Sequence, residues 1–238
     1  MSASQKTGQI IVTGASRGIG NAVTQELARR GYDVVGLSRT GNVPAGRGIA
    51  CDVSDEAALC AAVAEVAATG PIRGLVNNAG IHLSSPSAAL SVEEYEHVMR
   101  VNATSAMVAS REVHAHLKAA GGGLVVYMGS FFDKLGAPAQ LAYSVSKAAL
   151  GAMTRVQAVE WARDKITVVN VAPGYVETEF SDMWQDEKAR KWLQRRIPAG
   201  QHGTAEEVGR LVGVLYDEGI GFLTGETIYL DGGHSLNH

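Results

Sequence analysis

Short apolar runs of strand length recur along the chain and are separated by longer segments of helical composition. The runs are continuous and rich in Val, Ile and Leu, which is typical of strands that are covered on both faces. Strands that alternate with helices in this way predict an α/β fold: a parallel sheet with right-handed crossovers and helices on both of its faces. The predicted strands are residues 9–13, 33–37, 48–51, 72–76, 123–128, 166–171 and 226–230.

Local signals refine this plan at three places. Ser91 with Glu94, and Thr204 with Glu207, have the spacing of capping boxes and predict two helix starts. Residues 38–47 contain two glycines and a proline and are too few for a good helix, so we expect one crossover to be a loop.

Composition and charge narrow the class of protein. No linker or composition break divides the 238 residues, so residues 1–238 are expected to form one domain. A net charge of −3 does not attract a polyanion, and no apolar run approaches the roughly 20 residues of a membrane span. We therefore expect a cytoplasmic protein with neither a nucleic-acid nor a membrane partner.

Cys51, Cys60 and the histidines form no metal-ligand pattern, and Cys51 is expected to be buried in a strand.

A glycine-rich loop follows the first predicted strand and leads into a helix. In "TGASRGIG", Gly14, Gly18 and Gly20 would let the backbone turn sharply and approach a pyrophosphate, whose charge the next helix N-terminus favours. The spacing differs from the GxGxxG fingerprint, because three residues rather than one separate the first two glycines. The alternative is a glycine-rich connection that binds no ligand.

Four motifs together resemble the short-chain dehydrogenase/reductase family. They are "TGASRGIG" at 13–20, "NNAG" at 77–80, "YSVSK" at 143–147 and "APG" at 172–174, in the order and at the separations of that family along essentially the whole chain. The resemblance implies a Rossmann-like, doubly wound sheet of about seven strands and a nicotinamide cofactor. It also implies assembly as a homotetramer or a homodimer.

The residues after the second strand bear on which nicotinamide cofactor is used. A 2′-hydroxyl is normally held by an acidic residue, whereas Ser38, Arg39 and Thr40 offer no carboxylate and Arg17 adds a second guanidinium. NADP(H) is therefore predicted over NAD(H), the alternative being that both arginines are solvated surface charges. The residues predicted from the loop and the resemblance to bind the cofactor are Gly14, Ser16, Arg17, Gly18, Ile19, Gly20, Ser38, Arg39, Thr40, Asp52, Val53, Asn78, Ala79, Gly80, Tyr143, Lys147, Pro173, Gly174, Val176 and Thr178.

Tyr143 and Lys147 lie one helical turn apart and share a helix face. An exposed pair of this kind contributes only about 0.2–0.5 kcal/mol and would be ordinary helix decoration. The resemblance implies instead that Tyr143 is the general acid or base of hydride transfer to a carbonyl. A phenol with an ordinary pKa near 10 would need about 4 kcal/mol of help, which a cation about 4 Å away supplies only in a water-poor pocket.

Two further residues complete the catalytic set that the resemblance implies. Ser130, thirteen residues before Tyr143, would hydrogen-bond the substrate oxygen, and Asn102 would position Lys147 through a water. Their alternatives are a turn-forming serine and a buried polar residue at a helix kink.

The substrate side is indicated by bulky residues. Phe131, Phe132 and Asp133 follow Ser130 directly, and a substrate lid is expected at about residues 175–200. Large apolar groups in that insertion favour a bulky or hydrophobic substrate, or else subunit packing. The insertion holds Phe180, Met183, Trp184 and Trp192. Lys188, Lys191 and Arg195 fall on one helical face that would suit an acidic carrier protein or would simply be solvated.

Three functions follow from these patterns. The overall layout is most similar to 3-oxoacyl-[acyl-carrier-protein] reductases, although Phe131 and Phe132 depart from the smaller residues of many relatives. A dehydrogenase or reductase of a bulky or cyclic hydrophobic alcohol or ketone is the second hypothesis. A regulatory protein that binds NADPH without turnover is the third.

Overall fold

The computed structural model describes residues 8–178 and 186–237, in which the strands form two parallel sheets. The strands are β1 Gln9–Thr13, β2 Asp33–Ser38, β3 Arg47–Ala50, β4 Ile72–Asn77, β5 Gly123–Met128, β6 Ile166–Pro173, β7 Val176–Glu177, β8 Gly203–Thr204 and β9 Thr227–Leu230. The central sheet has seven strands in the order β3-β2-β1-β4-β5-β6-β9, and β7 pairs with β8 separately. The prediction of a seven-stranded parallel sheet is confirmed. Cys51 is buried as expected, but it lies just after β3 rather than within a strand.

Helices occupy the segments between most of the strands. They are α1 Gly18–Arg29, α2 Glu56–Thr69, α3 Val92–Met99, α4 Ser105–Ala119, α5 Leu141–Trp161, α6 Glu187–Arg196 and α7 Ala205–Glu218. Both predicted capping boxes are present, at Ser91 with Glu94 and at Thr204 with Glu207. The connection from β2 to β3 is a loop, as predicted.

The two faces of the central sheet are buried in separate cores. Ile11 packs on one face in a cluster that includes side chains of α2, α4 and α5, whereas Ile10 and Val12 pack on the other with α1 and α7. Successive strand residues therefore alternate between two apolar environments, which is why the strands are mostly apolar rather than alternating between apolar and polar residues. Complete burial of each large apolar side chain of this kind stabilises the folded state by about 1.5–3 kcal/mol.

The strand order creates a crevice at one edge of the sheet. From β1 the chain passes to β2 and β3 on one side and then crosses to β4 on the other side. The loops that follow the carboxyl ends of β1 and β4 therefore diverge, and open parallel sheets bind ligands at such a switch point.

In the parts of the chain that the structure describes, none of the helices combines the length and the apolarity needed to cross a membrane.

Candidate active site

A cleft of about 430 Å³ lies at the carboxyl ends of the central strands. It is lined by nearly all of the residues that the sequence singled out for the cofactor or for catalysis, and by Phe131 and Phe132. These are Gly14, Ser16, Arg17, Gly18, Ile19, Gly20, Ser38, Arg39, Asp52, Val53, Asn78, Ala79, Gly80, Ser130, Phe131, Phe132, Tyr143, Lys147, Pro173, Gly174, Val176 and Thr178. Thr40 and Asn102 are not part of this lining.

The glycine loop adopts a backbone that side chains would obstruct. Gly14 and Gly18 have φ values of 66° and 54°, in the left-handed region that favours glycine. A Cβ on Gly20 would collide with the carbonyl oxygen of Gly14 and with the amide of Asn78. The loop therefore brings bare backbone to the surface of the cleft, directly before the N-terminus of α1.

Asn78 ties the loop after β4 to the end of β1. Its side-chain amide donates to the carbonyl oxygens of Thr13 at 3.0 Å and Gly14 at 3.1 Å. In return, the hydroxyl of Thr13 accepts the backbone N–H groups of Asn78 and Ala79, both at 3.0 Å. These bonds hold the two loops of the crevice at a defined separation.

The end of β2 forms the far wall of the cleft. Arg39 lines it, whereas the hydroxyl of Thr40 accepts the backbone N–H of Asn42 at 3.3 Å within the following turn. Thr40 thus lies outside the lining of the cleft, two residues after the end of β2, and its contact with a cofactor stays a prediction. Asp52 lines the same cleft, and its pKa is lowered chiefly by hydrogen bonds from Ser54, with a smaller contribution from the charge of Arg39.

Ser130, Tyr143 and Lys147 line the same cleft and lie close to one another. Ser130 is only 5 % exposed and lies two residues after the end of β5, while Tyr143 and Lys147 occupy successive turns at the start of α5. The ammonium of Lys147 lies 5.6 Å from the centre of the Tyr143 ring and donates to the carbonyl oxygen of Met128 at 2.8 Å. The helical spacing thus places a cation beside the phenol in a largely buried setting.

Burial dominates the acidity of this pair. It lowers the pKa of Lys147 to about 8 and raises the pKa of Tyr143, a rise that the neighbouring Ser130 hydroxyl opposes. The expected acidification of the phenol by Lys147 is therefore absent from the protein alone. The physical reason is that desolvation disfavours both charged forms and the ammonium binds a carbonyl oxygen rather than the phenol.

Asn102 lies behind the cleft in a π-helical turn, Arg100–Thr104, that joins α3 to α4. Its amide oxygen accepts the N–H of Ile81 at 2.8 Å, and its amide nitrogen donates to the Ile81 carbonyl at 2.9 Å and to the Ser146 hydroxyl at 3.0 Å. Single π-turns inside helices are often found at functional sites. Asn102, which the sequence analysis considered as a polar residue at a helix kink, thus links the loop after β4 to the start of α5 through its side-chain amide.

Aromatic side chains form the outer wall beside Tyr143. The ring of Phe131 lies 5.0 Å from that of Tyr175 and 5.3 Å from that of His234, and Phe132 stands edge-on to Tyr143 at 6.1 Å. Phe131 and Phe132 thus line the cleft beside Tyr143, and their contact with a substrate stays a prediction.

The other residues that the sequence singled out for the substrate side lie outside the cleft lining or outside the described residues. Asp133 is outside the lining and accepts the Tyr229 hydroxyl at 3.0 Å. Trp192 is 51 % exposed, with the guanidinium of Arg196 4.5 Å above its ring, and it does not line the cleft. Phe180, Met183 and Trp184 lie outside the described residues.

Several cleft residues had not been identified from the sequence. They are Leu37, Cys51, Ser54, Ile81, His82, His97, Val101, Met128 and Gly129, whereas Tyr175 is the first residue of the expected lid segment. Most flank a predicted motif by one or two positions, so closeness to the motif was the available signal. His97 and Val101 come from α3 and the π-turn, which only the packing of the chain brings to the cleft. Among residues 8–178 and 186–237, no group of three or more His, Cys, Asp or Glu residues is placed to hold a metal ion.

The doubly wound sheet and the glycine-lined crevice place the protein in the class of Rossmann-like folds, whose crevice binds dinucleotides. The family model for enoyl-(acyl carrier protein) reductases matches residues 14–235. On this match the chain belongs to the short-chain dehydrogenase/reductase family.

Curated relatives match nearly the full chain. A tropinone reductase homologue of Arabidopsis thaliana is 35 % identical over 95 % of this chain and 90 % of its own length. The 3-oxoacyl-[acyl-carrier-protein] reductase FabG of Escherichia coli is 32 % identical over 94 % of this chain and 95 % of its own.

Solved structures share the whole architecture. Aldohexose dehydrogenase of Thermoplasma acidophilum superposes with a TM-score of 0.92 at 26 % identity, covering 99 % of this chain and 97 % of that one. A gluconate 5-dehydrogenase of Burkholderia cenocepacia, in complex with NADP and tartrate, has a TM-score of 0.89 at 29 % identity, covering 97 % and 96 %.

Proposed function

We propose that this oxidoreductase transfers hydride between NADP(H) and a ketone or secondary alcohol, with a 3-oxoacyl thioester as the favoured substrate. The observation that carries the proposal is the meeting of Ser130, Tyr143 and Lys147 in the same cleft as the glycine loop. A hydroxyl, a phenol and an ammonium at the carboxyl end of a parallel sheet form a set that can bind a carbonyl and exchange its proton.

The cleft fits a dinucleotide. The bare backbone at Gly14, Gly18 and Gly20 leaves room that a Cβ would fill, and the N-terminus of α1 favours a pyrophosphate. Arg17 and Arg39 line the same cleft, and a dianionic 2′-phosphate would receive charge-assisted hydrogen bonds from them. When bound, the nicotinamide supplies or accepts the hydride.

The side chains of the protein would then bind the oxygen of the substrate and supply its proton. The hydroxyl of Ser130 would donate a hydrogen bond to the carbonyl and fix its orientation. Tyr143 would give its proton to the developing alkoxide, and the Lys147 ammonium would stabilise the phenolate that remains. Asn102 would hold the loop after β4 and the start of α5 in place through its hydrogen bonds to Ile81 and Ser146.

A carrier-bound substrate is supported by the surface of α6. Lys188, Lys191 and Arg195 are exposed on this helix, which contacts the rest of the protein through Leu193 and Ile197 in a small cluster beside Tyr175. An acidic carrier protein would complement this cationic surface next to the cleft. Lys191 also pairs with Glu187 at 2.7 Å, as solvated surface charges commonly do.

A second candidate function is reduction of a bulky or cyclic ketone. It is favoured by the aromatic wall of Phe131, Phe132 and Tyr175 beside Tyr143, which would pack against a flat or ring-shaped substrate. The tropinone reductase homologue among the relatives supports this reading.

Turnover of a carbonyl panel, followed by the absorbance of NADPH, tests these functions. Reduction of acetoacetyl thioesters supports the first proposal, and reduction of cyclic ketones alone supports the second. Tyr143→Phe should lower kcat by at least about 10²-fold while the Kd for NADPH changes little. Undiminished turnover in that variant would remove Tyr143 from the mechanism, and NADPH binding without oxidation would favour a sensing protein.

The proposed enzyme is expected to act in the cytoplasm as a homotetramer or a homodimer built from one-domain subunits. Val156 and Val159 on α5 and Phe222 after α7 are exposed by 55 %, 81 % and 102 %, and subunit contacts would cover such groups. Sedimentation equilibrium tests the assembly, and a single monomeric species would refute it.

A further inference from the structure

His82 belongs to the loop that follows β4, and its backbone is held from behind. Ile81, the residue before it, exchanges two hydrogen bonds with Asn102, at 2.8 and 2.9 Å. The N–H and C=O of one residue are thus fixed by one side-chain amide. The direction in which His82 leaves the loop is therefore set by the π-turn rather than by the loop alone.

The imidazole of His82 contacts the phenol ring that the proposed chemistry uses. The centres of the two rings are 5.0 Å apart and their planes are perpendicular, which is the favoured edge-to-face arrangement. Phe132 stands edge-on to the same ring at 6.1 Å. Tyr143 therefore lies in contact with two aromatic side chains from two different loops.

A second set of bonds ties the His82 loop to the start of α5. His82 Nε2 donates to the amide oxygen of Gln140, the N-cap residue of α5 and three positions before Tyr143. Nearby, the backbone N–H of Ser85 donates to the carbonyl oxygen of Ala139 at 3.0 Å. The loop thus restrains both the ring of Tyr143 and the backbone from which that ring projects.

The opposite end of Tyr143 is restrained as well. Its backbone carbonyl accepts the Ser146 hydroxyl at 2.7 Å, and that hydroxyl in turn accepts the amide of Asn102 at 3.0 Å. Asn102 therefore acts on Tyr143 by two routes, one through Ser146 to the backbone and one through His82 to the ring.

We infer that His82 is a positioning residue that aims the phenol of Tyr143 for proton transfer. The inference rests on the proposed function, in which Tyr143 exchanges a proton with the substrate oxygen. The ring contact of His82 carries the effect, and the bond to Gln140 holds the imidazole in the plane that makes this contact. An error of about 1 Å in such a group can lower a rate by about 10²-fold.

Fluorine NMR tests the contact whether or not the protein turns over a carbonyl. Labelling with 3-fluorotyrosine places one reporter on each of the seven tyrosines, and Tyr143→Phe assigns the relevant resonance. His82→Ala should shift and broaden that resonance, whereas Leu83→Ala, a change at the next and partly exposed residue of the loop, should leave it in place. An unchanged resonance in His82→Ala would overturn the inference.

Kinetics test the consequence for catalysis. His82→Ala should lower kcat by about 10- to 100-fold and increase the solvent deuterium isotope effect, with the KM of the carbonyl and the Kd of NADPH within about threefold of wild type. His82→Phe retains an aromatic edge and should restore kcat to within about threefold of wild type. Leu83→Ala is the control for kcat and for thermal stability.

The outcomes separate the inference from the proposed function. A rise in KM alone would identify His82 as a substrate contact, and a Phe variant as slow as the Ala variant would assign the effect to imidazole chemistry. Either result overturns the positioning role. A wild-type protein that reduces no carbonyl, yet shows the NMR change, would refute the proposed function while the contact itself stands.

Discussion

Replacement of Lys147 by methionine is expected to stabilise the cofactor-free protein at neutral pH and to remove the proposed catalysis. The side chain is 4 % exposed, and burial lowers its pKa from 10.5 to about 8. Methionine has a similar volume and needs no hydration, so the core around it should close without a cavity. The lysine is thus a residue that weakens the fold in return for a charge in the cleft.

The size of the effect follows from the pKa of Lys147. Each pKa unit corresponds to about 1.36 kcal/mol, so a fall from 10.5 to about 8 means that the ammonium destabilises the folded state by about 3 kcal/mol at pH 7. Loss of the hydrogen bond to the Met128 carbonyl offsets about 1 kcal/mol of the gain. Lys147→Met should therefore raise the free energy of unfolding by about 2 kcal/mol, or Tm by about 4–8 °C.

The stability difference between Lys147→Met and wild type should depend on pH in a definite direction. Between pH 8 and pH 10.5 the unfolded chain holds a proton on Lys147 that the folded protein has lost, so the stability of wild type rises with pH across this window. The advantage of Lys147→Met should be complete below about pH 8, shrink as the pH rises, and become a deficit of about 1 kcal/mol above about pH 10.5.

Urea unfolding of both proteins at pH 7, 9 and 10, without cofactor, measures this difference. The same substitution at the exposed Lys188 of α6 is the matched control and should show no such trend. A Lys147→Met protein that is no more stable than wild type at pH 7, or a difference that stays constant from pH 7 to pH 10, would refute the assignment of a buried, destabilised ammonium.

Three further predictions concern the cofactor cleft and the start of α5. Arg39→Ala should lower kcat/KM for NADPH by about tenfold or more and leave that for NADH nearly unchanged, because a charge-assisted bond to the 2′-phosphate is lost; equal losses with both cofactors would argue against the NADP(H) assignment. Gly20→Ala should abolish NADPH binding in a fluorescence titration, since its Cβ meets the Gly14 carbonyl and the Asn78 amide; normal affinity would show that the loop tolerates a side chain. Ala139→Gly should raise the free energy of unfolding by about 0.5 kcal/mol, because Ala139 has a φ of 62° and the relief of strain exceeds the entropy cost of glycine; a lower urea midpoint would contradict this balance.

Predictions from the sequence held where local rules decide the outcome. The strands were recognised by their unbroken apolar composition and α5 by its residue types, and both capping boxes formed. Thr40 lies outside the cleft lining and its side chain bonds within the turn after β2, which the sequence did not indicate because a turn of irregular residues has no periodicity from which its direction can be deduced. Cys51 fell just outside β3 for the related reason that strand ends depend on pairing with a neighbouring strand.

The candidate site likewise has features that follow from local sequence and features that depend on long-range contacts. The i,i+4 spacing of Tyr143 and Lys147 and the positions of the three loop glycines are properties of the chain alone, since helix geometry and backbone sterics apply residue by residue. Asn102 was recognised as a polar residue inside a helix, but its bonds to Ile81 and Ser146 join residues 21 and 44 positions away.

The sequence by itself therefore determined the sheet, the order of its loops and the residue types that reach the crevice. Only the tertiary structure decided that Lys147 is buried beside Tyr143, that burial raises the pKa of the phenol, and that His82 contacts its ring. The physical reason is that desolvation and ring contacts depend on atoms far apart along the chain, whereas backbone conformation and apolar periodicity depend on near neighbours.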